Sequence, residues 1–215
     1  MSGIDVEPRS APMSGIDVEP RSAPMIGSMS AQIELEELHR FTTDEYRRLV
    51  EAGAFEDFAP VELIDGLLVR KDMRSREHEQ AIEWLIRYVR GVDDERYAVR
   101  VGGSLTLETS APEADLALIP HTAPRPYHPA TAALAIEVSV SSLRRDLDVK
   151  AVIYARALVA EYWVVDIAGG RVVVHRVPRA DGYEQVVEVR SGAQITAPAG
   201  LPQLSVEELL RAAGA

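Results

Sequence analysis

A chain of 215 residues, 47% apolar and 27% charged, has enough material for one globular domain with a sizeable core. It contains no cysteine, which excludes disulfides, thiolate catalysis and cysteine-ligated zinc or iron–sulfur centres, and no apolar run approaches the ~20 residues of a membrane helix. The formal charge of −11 argues against a surface that grips nucleic acid all over, since such surfaces are basic, but it is compatible with a locally basic contact face beside acidic groups that hold metal.

Residues 1–12 and 13–24 are the same segment twice, MSGIDVEPRSAP. Two prolines per copy and no sustained periodicity predict a disordered tail over residues 1–28, with Met25 and Met29 as alternative starts and one domain over 29–215. The absence of an apolar secretory core at the N-terminus predicts a cytoplasmic protein.

Thr42 and Thr43 precede DEYRRLVEAG, an N-cap and short helix that stops near Gly53. VELIDGLLVRK has two apolar runs around Asp65-Gly66, a hairpin signal. Ala81, Leu85, Ile86 and Val89 give one apolar face to a helix over Arg76–Val92. Strands are predicted at 97–101, 104–108 and 115–119, followed by a loop through the proline-rich HTAPRPYHPA. The chain then reads as a strand LAIEVSV, a helix from about Leu143 to Leu158 and a strand EYWVVDI. Gly169-Gly170 turns it into a hairpin of RVVVHRV and YEQVVEVR, and VEELLRAAG forms a closing helix capped by Ser205. This order predicts an α/β fold with a central mixed β-sheet flanked by helices, its 134–167 crossover right-handed if the two strands are parallel.

The chemistry is concentrated in three side chains. Alternation along LAIEVSV puts Glu137 with Ala135 and Ser139 on one face, so small neighbours leave room beside its carboxylate. Leu147, Ala151, Tyr154 and Leu158 define the inward stripe of the following helix, and Lys150 lies on that stripe. Asp115 opens an apolar strand, with Glu113 two residues earlier. Ionised groups are rare in a core unless paired, metal-bound or catalytic. A hard divalent cation, Mg2+ or Mn2+, binds through one or two carboxylates with water or phosphate completing its shell, and an ammonium nearby offsets charge developing on a phosphate. Each residue also has an ordinary explanation: Glu137 on a solvated face or paired with arginine, Lys150 in an i,i+4 pair with Asp146, Asp115 satisfying backbone amides at a strand start.

VELIDGLLV (61–69), SREHEQAI (75–82), APEADLALI (111–119), IEVSVSSLRRDLDVKAVIYA (136–155) and EYWVVD (161–166), in this order and spacing, resemble the Uma-two family, a restriction-endonuclease-like branch of the PD-(D/E)xK nuclease superfamily. The resemblance runs from about Phe41 to Leu210. It implies metal ligation by Asp115 and Glu137, with Ala114 where proline commonly precedes the aspartate. The usual E-x-K would put lysine at position 139, where Ser139 stands; the family implies that the lysine has moved to the following helix, at Lys150. Glu62 falls on a further acidic position and is expected to act in catalysis by contacting metal or its waters, or else to face solvent in its hairpin. His78 is a candidate proton shuttle or phosphate contact, or a packing residue. Arg70, Lys71, Arg74 and Arg76 form a candidate phosphate-steering patch, or a solvated linker. His175 and His128 are too isolated to suggest a role.

The resulting expectation is a metal-dependent endonuclease acting on DNA, a homodimer if both strands are cut. A non-catalytic interaction or regulatory module retaining the fold is the contrasting reading, favoured by the acidic charge and the lack of an evident DNA-specificity domain. Hydrolysis of RNA or a nucleotide is a third.

Overall fold

A computed structural model describes residues 38–57, 59–72, 74–92, 95–122 and 129–214. The chain divides into two units, residues 1–39 and 40–215, and every named element belongs to the second. The repeated segment and the tail expected over 1–28, most of the proline-rich loop, and His128 lie outside the described residues.

The first helix, α1 (Thr43–Glu51), begins where its sequence signal placed it. Thr42 Oγ1 accepts the Glu45 N–H at 3.2 Å and Glu45 Oε2 accepts the Thr42 N–H at 2.8 Å, a reciprocal capping box. Strands β1 (Val61–Ile64) and β2 (Leu67–Arg70) form the predicted hairpin. Asp65 and Gly66 both take positive φ, 47° and 76°, the combination that a two-residue type I′ turn requires. Helix α2 (Arg76–Val89) starts at Ser75, whose Oγ accepts the His78 N–H.

Six strands form the main sheet in the order β3 (Tyr97–Ser104), β4 (Glu113–Pro120), β5 (Leu134–Ser139), β6 (Glu161–Asp166), β7 (Arg171–Arg179), β8 (Gly182–Arg190). Only β5 and β6 pair in parallel; the other neighbours are antiparallel. The connection between the parallel pair carries a π-helical turn, Arg145–Lys150, that runs into α3 (Ala151–Arg156). The short pair β9 (Gln194–Ile195) and β10 (Leu204–Ser205) leads into α4 (Val206–Ala213), capped by Ser205. This is the mixed, helix-flanked sheet expected from the order of elements.

Both faces of the sheet are covered. On one, Ala81, Leu85 and Val89 of α2 and Leu209 and Ala213 of α4 pack on Leu116, Ile136, Trp163 and Val174. On the other, Ala151 and Tyr154 pack on Ala117, Ala135, Tyr162 and Val164. Strand β5 lies between the two cores, and all six of its residues are buried, which is why its sequence is so uniformly apolar around Glu137. The β1–β2 hairpin joins the sheet through a bridge between Leu63 and Ala111 and through the packing of Tyr46 on Leu63.

Three local expectations are corrected. Residues 105–108 are not a strand: Leu105 N–H binds Pro112 O and Leu107 N–H binds Ser110 O, so the apolar alternation belongs to a loop folded back on itself with Leu105 fully buried. The helix expected over 143–158 is π-helical over Arg145–Lys150 and ends at Arg156. Leu158 sits beyond that end with φ 56° and is 68% exposed, so it leaves the inward stripe. Strand β5 likewise stops at Ser139, leaving Val140 exposed.

Candidate active site

The site forms where β4 and β5 part. Their ladder ends at Leu116↔Ile136, and one step further the register sets Asp115 across from Glu137, at neighbouring-strand distance. The Asp115 side chain takes over from the missing backbone partner: its Oδ2 accepts the Val138 N–H at 2.9 Å. Each strand thus brings one carboxylate to the same opening.

Lys150 reaches this opening from the π-helical turn. Its Nζ lies 3.0 Å from Glu137 Oε1 and 3.0 Å from Glu62 Oε2, and the three side chains are at most 5% exposed. Lys150 turns to these two glutamates, not to Asp146. The Asp146 carboxylate instead accepts Ser139 Oγ at 2.6 Å and a bond from Ser142 Oγ. Position 139, where an E-x-K strand would carry its lysine, is therefore used to anchor the start of the helix that delivers the lysine. The wider π turn places Asp146 and Lys150 both inward, and such turns are frequent at functional sites.

The hairpin supplies the fourth group. Glu62 is 1% exposed; its Oε2 also accepts the Glu113 N–H at 3.3 Å, and its Oε1 lies 3.9 Å from Arg145 Nε. Glu62 is thus held between two cationic side chains. His78, at the first turn of α2, sets Nε2 3.0 Å from Asp115 Oδ2. Of the basic cluster, Lys71 pairs with Glu113 and lines the cleft together with Arg74, whereas Arg70 and Arg76 are not part of its wall. His175 lies elsewhere, its Nδ1 on Tyr162 O and its ring among tyrosines.

Sequence reasoning missed Tyr154, Arg145 and Asp146 as site residues. Tyr154 donates its hydroxyl to Glu137 Oε1 at 2.9 Å, and Arg145 and Asp146 line the cleft. The spacing of Lys150 and Tyr154 on one helical face is the signal the sequence carries for Tyr154, and it is indistinguishable there from packing because tyrosine is ordinary in a core.

The balance of charge follows from burial. Burial pushes the Glu137 carboxyl well above its ordinary value; Lys150 opposes that, and the neighbouring Asp115, Asp146 and Glu62 add to it. Burial alone would lower the Lys150 ammonium, but Glu137, Glu62 and Asp146 outweigh it and keep the amine charged. Burial would also raise Asp115, yet the His78 contact, the Val138 N–H and Lys150 bring its carboxyl below the usual range. The cleft therefore gathers more acid than its buried cations neutralise, an electrostatic setting that favours a divalent cation.

The donor set fits such an ion. Mg2+ commonly takes one or two protein carboxylates and keeps several waters, and Asp115 and Glu137 provide two. Among the described residues there is no group of three His, Cys, Asp or Glu arranged to hold a metal; Glu62 is paired with Lys150.

A mixed sheet with two acids at the fork of adjacent strands, and a helix-borne lysine on one of them, has the organisation of a restriction-endonuclease-like core. A family model, Uma2, described as "Putative restriction endonuclease", matches residues 43–212, and the chain belongs to that family. Its fold is similar to that of "a putative nuclease belonging to DUF820 from Anabaena variabilis ATCC 29413", with a TM-score of 0.65 and 17% identity over 80% of this chain and 99% of that one. No curated protein matches the chain significantly. No helix among the described residues is long and apolar enough to cross a membrane.

Proposed function

We propose that the protein is an endonuclease that hydrolyses phosphodiester bonds in DNA with Mg2+ or Mn2+. The observation that carries this reading is the convergence of Lys150 Nζ on Glu137 and Glu62, with Asp115 across the strand fork from Glu137. Membership of a family described as "Putative restriction endonuclease" supports the reaction class and a nucleic-acid substrate.

Asp115 and Glu137 would hold the cation, which when bound polarises the phosphate and lowers the pKa of a water. The Lys150 ammonium, desolvated and fixed between two carboxylates, is placed to offset negative charge building on the phosphate. Glu62 steadies that ammonium; for it to ligate metal as well, the ion would have to compete with Lys150 and Arg145. Lys71 and Arg74 at the cleft wall are suited to the flanking phosphates, a local basic contact on an acidic protein. Cutting both strands of a duplex takes two such sites, which a homodimer in the cytoplasm would supply.

The test is cleavage of plasmid and oligonucleotide DNA and of RNA with Mn2+ or Mg2+. Wild type is expected to cut DNA, and Asp115→Asn and Lys150→Met to lose at least about a hundredfold in rate, in the range seen when one electrostatic stabiliser is removed. Intact DNA with both metals, beside an active control nuclease, would refute the proposal. Cleavage of RNA alone would refute the substrate.

A further inference from the structure

Each of the two carboxylates is held from one side only. Asp115 accepts its two contacts, from His78 Nε2 at 3.0 Å and Val138 N–H at 2.9 Å, on Oδ2. Glu137 accepts its two, from Lys150 Nζ at 3.0 Å and Tyr154 OH at 2.9 Å, on Oε1. Among the described residues, no hydrogen bond engages Oδ1 of Asp115 or Oε2 of Glu137. An ionised carboxylate offers no proton, so the His78 Nε2 must be the donor in its pair.

The two donors are themselves fixed. Tyr154 is fully buried, with its ring packed 4.7 Å from that of Tyr162, so its hydroxyl has little freedom to leave Glu137. His78 is 9% exposed and is anchored in the first turn of α2, where Ser75 caps its N–H. Its Nδ1 is buried without a hydrogen-bond partner, so the ring is not held there by a second bond; Asp115 is its polar contact.

We propose that His78 and Tyr154 are positioning residues that commit one oxygen of each carboxylate to the protein, so that Asp115 and Glu137 each present a single oxygen to the cation and the site prefers a small octahedral ion to Ca2+. The inference rests on the reading above that these two acids hold the cation. Mg2+ and Mn2+ accept two single oxygens and fill the remaining positions with water, whereas Ca2+ takes six to eight oxygens and gains from carboxylates that bind through both. Donors that orient a ligand from outside the coordination shell typically change metal affinity about 10–100-fold when removed.

The experiment measures Mn2+ and Ca2+ affinity of the full chain by titration calorimetry and Mn2+ electron paramagnetic resonance, with thermal melts of the metal-free protein alongside. Wild type is expected to bind Mn2+ more tightly than Ca2+. Tyr154→Phe and His78→Ala should weaken Mn2+ about tenfold or more and Ca2+ less, narrowing the ratio between them. His78→Gln, whose amide can still donate to Asp115, should restore much of it. A Mn2+ to Ca2+ ratio unmoved in both Tyr154→Phe and His78→Ala would overturn the positioning roles while leaving the proposed function intact. Wild type that binds neither ion would overturn the inference together with the reading beneath it. The histidine pair decides the matter if the tyrosine variant melts early.

Discussion

Lys150 is the residue on which the two buried glutamates of the cleft converge. Two buried glutamates share its charge, and removing one partner of a buried ion pair leaves the other desolvated and uncompensated, at a typical cost of about 3–5 kcal/mol. Lys150→Met is therefore expected to lower the unfolding free energy by that order in urea titrations of the metal-free protein, in addition to its effect on cleavage. His175 permits a cleaner test because it lies outside the cleft. Burial holds its imidazole below the ordinary value, despite its hydrogen bond to Tyr162 O. A histidine kept neutral by folding binds its proton more readily when unfolded. Its contribution to stability is therefore complete above the unfolded value near ~6.5 and declines as pH falls from there through the folded one. His175→Gln should flatten the loss of stability between pH 7 and 5, read as denaturant midpoints at each pH; an unchanged slope would show that other groups set it.

The hairpin β1–β2 shows how an element far from the sheet's centre governs the site. It is the route by which Glu62 reaches Lys150, and its geometry depends on one glycine. Gly66 has φ 76°, and a Cβ there would lie 2.7 Å from Arg40 Cβ. Gly66→Ala should cost about 1–3 kcal/mol and weaken cleavage by loosening Glu62, a loss that assays at saturating metal would still show. The π turn has its own anchor in the Ser139 and Ser142 bonds to Asp146, which is 1% exposed. Hydrogen bonds to a charged group contribute about 1.5–3 kcal/mol, so Ser139→Ala should destabilise by that amount. If the turn positions the lysine, the same variant should also slow cleavage without changing metal affinity.

Across the whole molecule, the proposed cation site would link metal binding to folding through the excess of buried acid. An ion that binds only the native state adds about 2.7 kcal/mol at a hundred times its dissociation constant. For a domain of this size each kcal/mol corresponds to roughly 2–4 °C in melting temperature. Calorimetric melts should therefore rise by about 5–10 °C with saturating Mn2+, and Asp115→Asn should lose that rise. The acidic surface has a second consequence. On the proposed function, contact with DNA would rest on a local patch that includes Lys71 and Arg74 at the cleft wall, so affinity should be modest and fall with salt at a slope set by few phosphates.

Much of this protein was legible in its primary structure because the decisive signals are local. Asp65-Gly66 signalled a hairpin through backbone sterics, Thr42 and Ser205 marked the starts of their helices as capping residues, and the largely apolar run around Glu137 marked a buried strand. Asp115, Glu137 and Lys150 stood out for the same reason: a charge within an apolar pattern is costly unless something compensates it. What compensates it was decided only by tertiary structure. Leu105 is buried by a loop although its alternation reads as a strand, and the π turn that aims Lys150 and drops Leu158 from the apolar stripe depends on Ser139 meeting Asp146 in space. The pairing of Glu62 with Lys150, separated in sequence by three of the six strands of the main sheet, and the donation of Tyr154 to Glu137 follow from how hairpin, helix and strand fork come together. Periodicity reports which way a side chain faces; which partner it finds there depends on contacts between residues far apart along the chain.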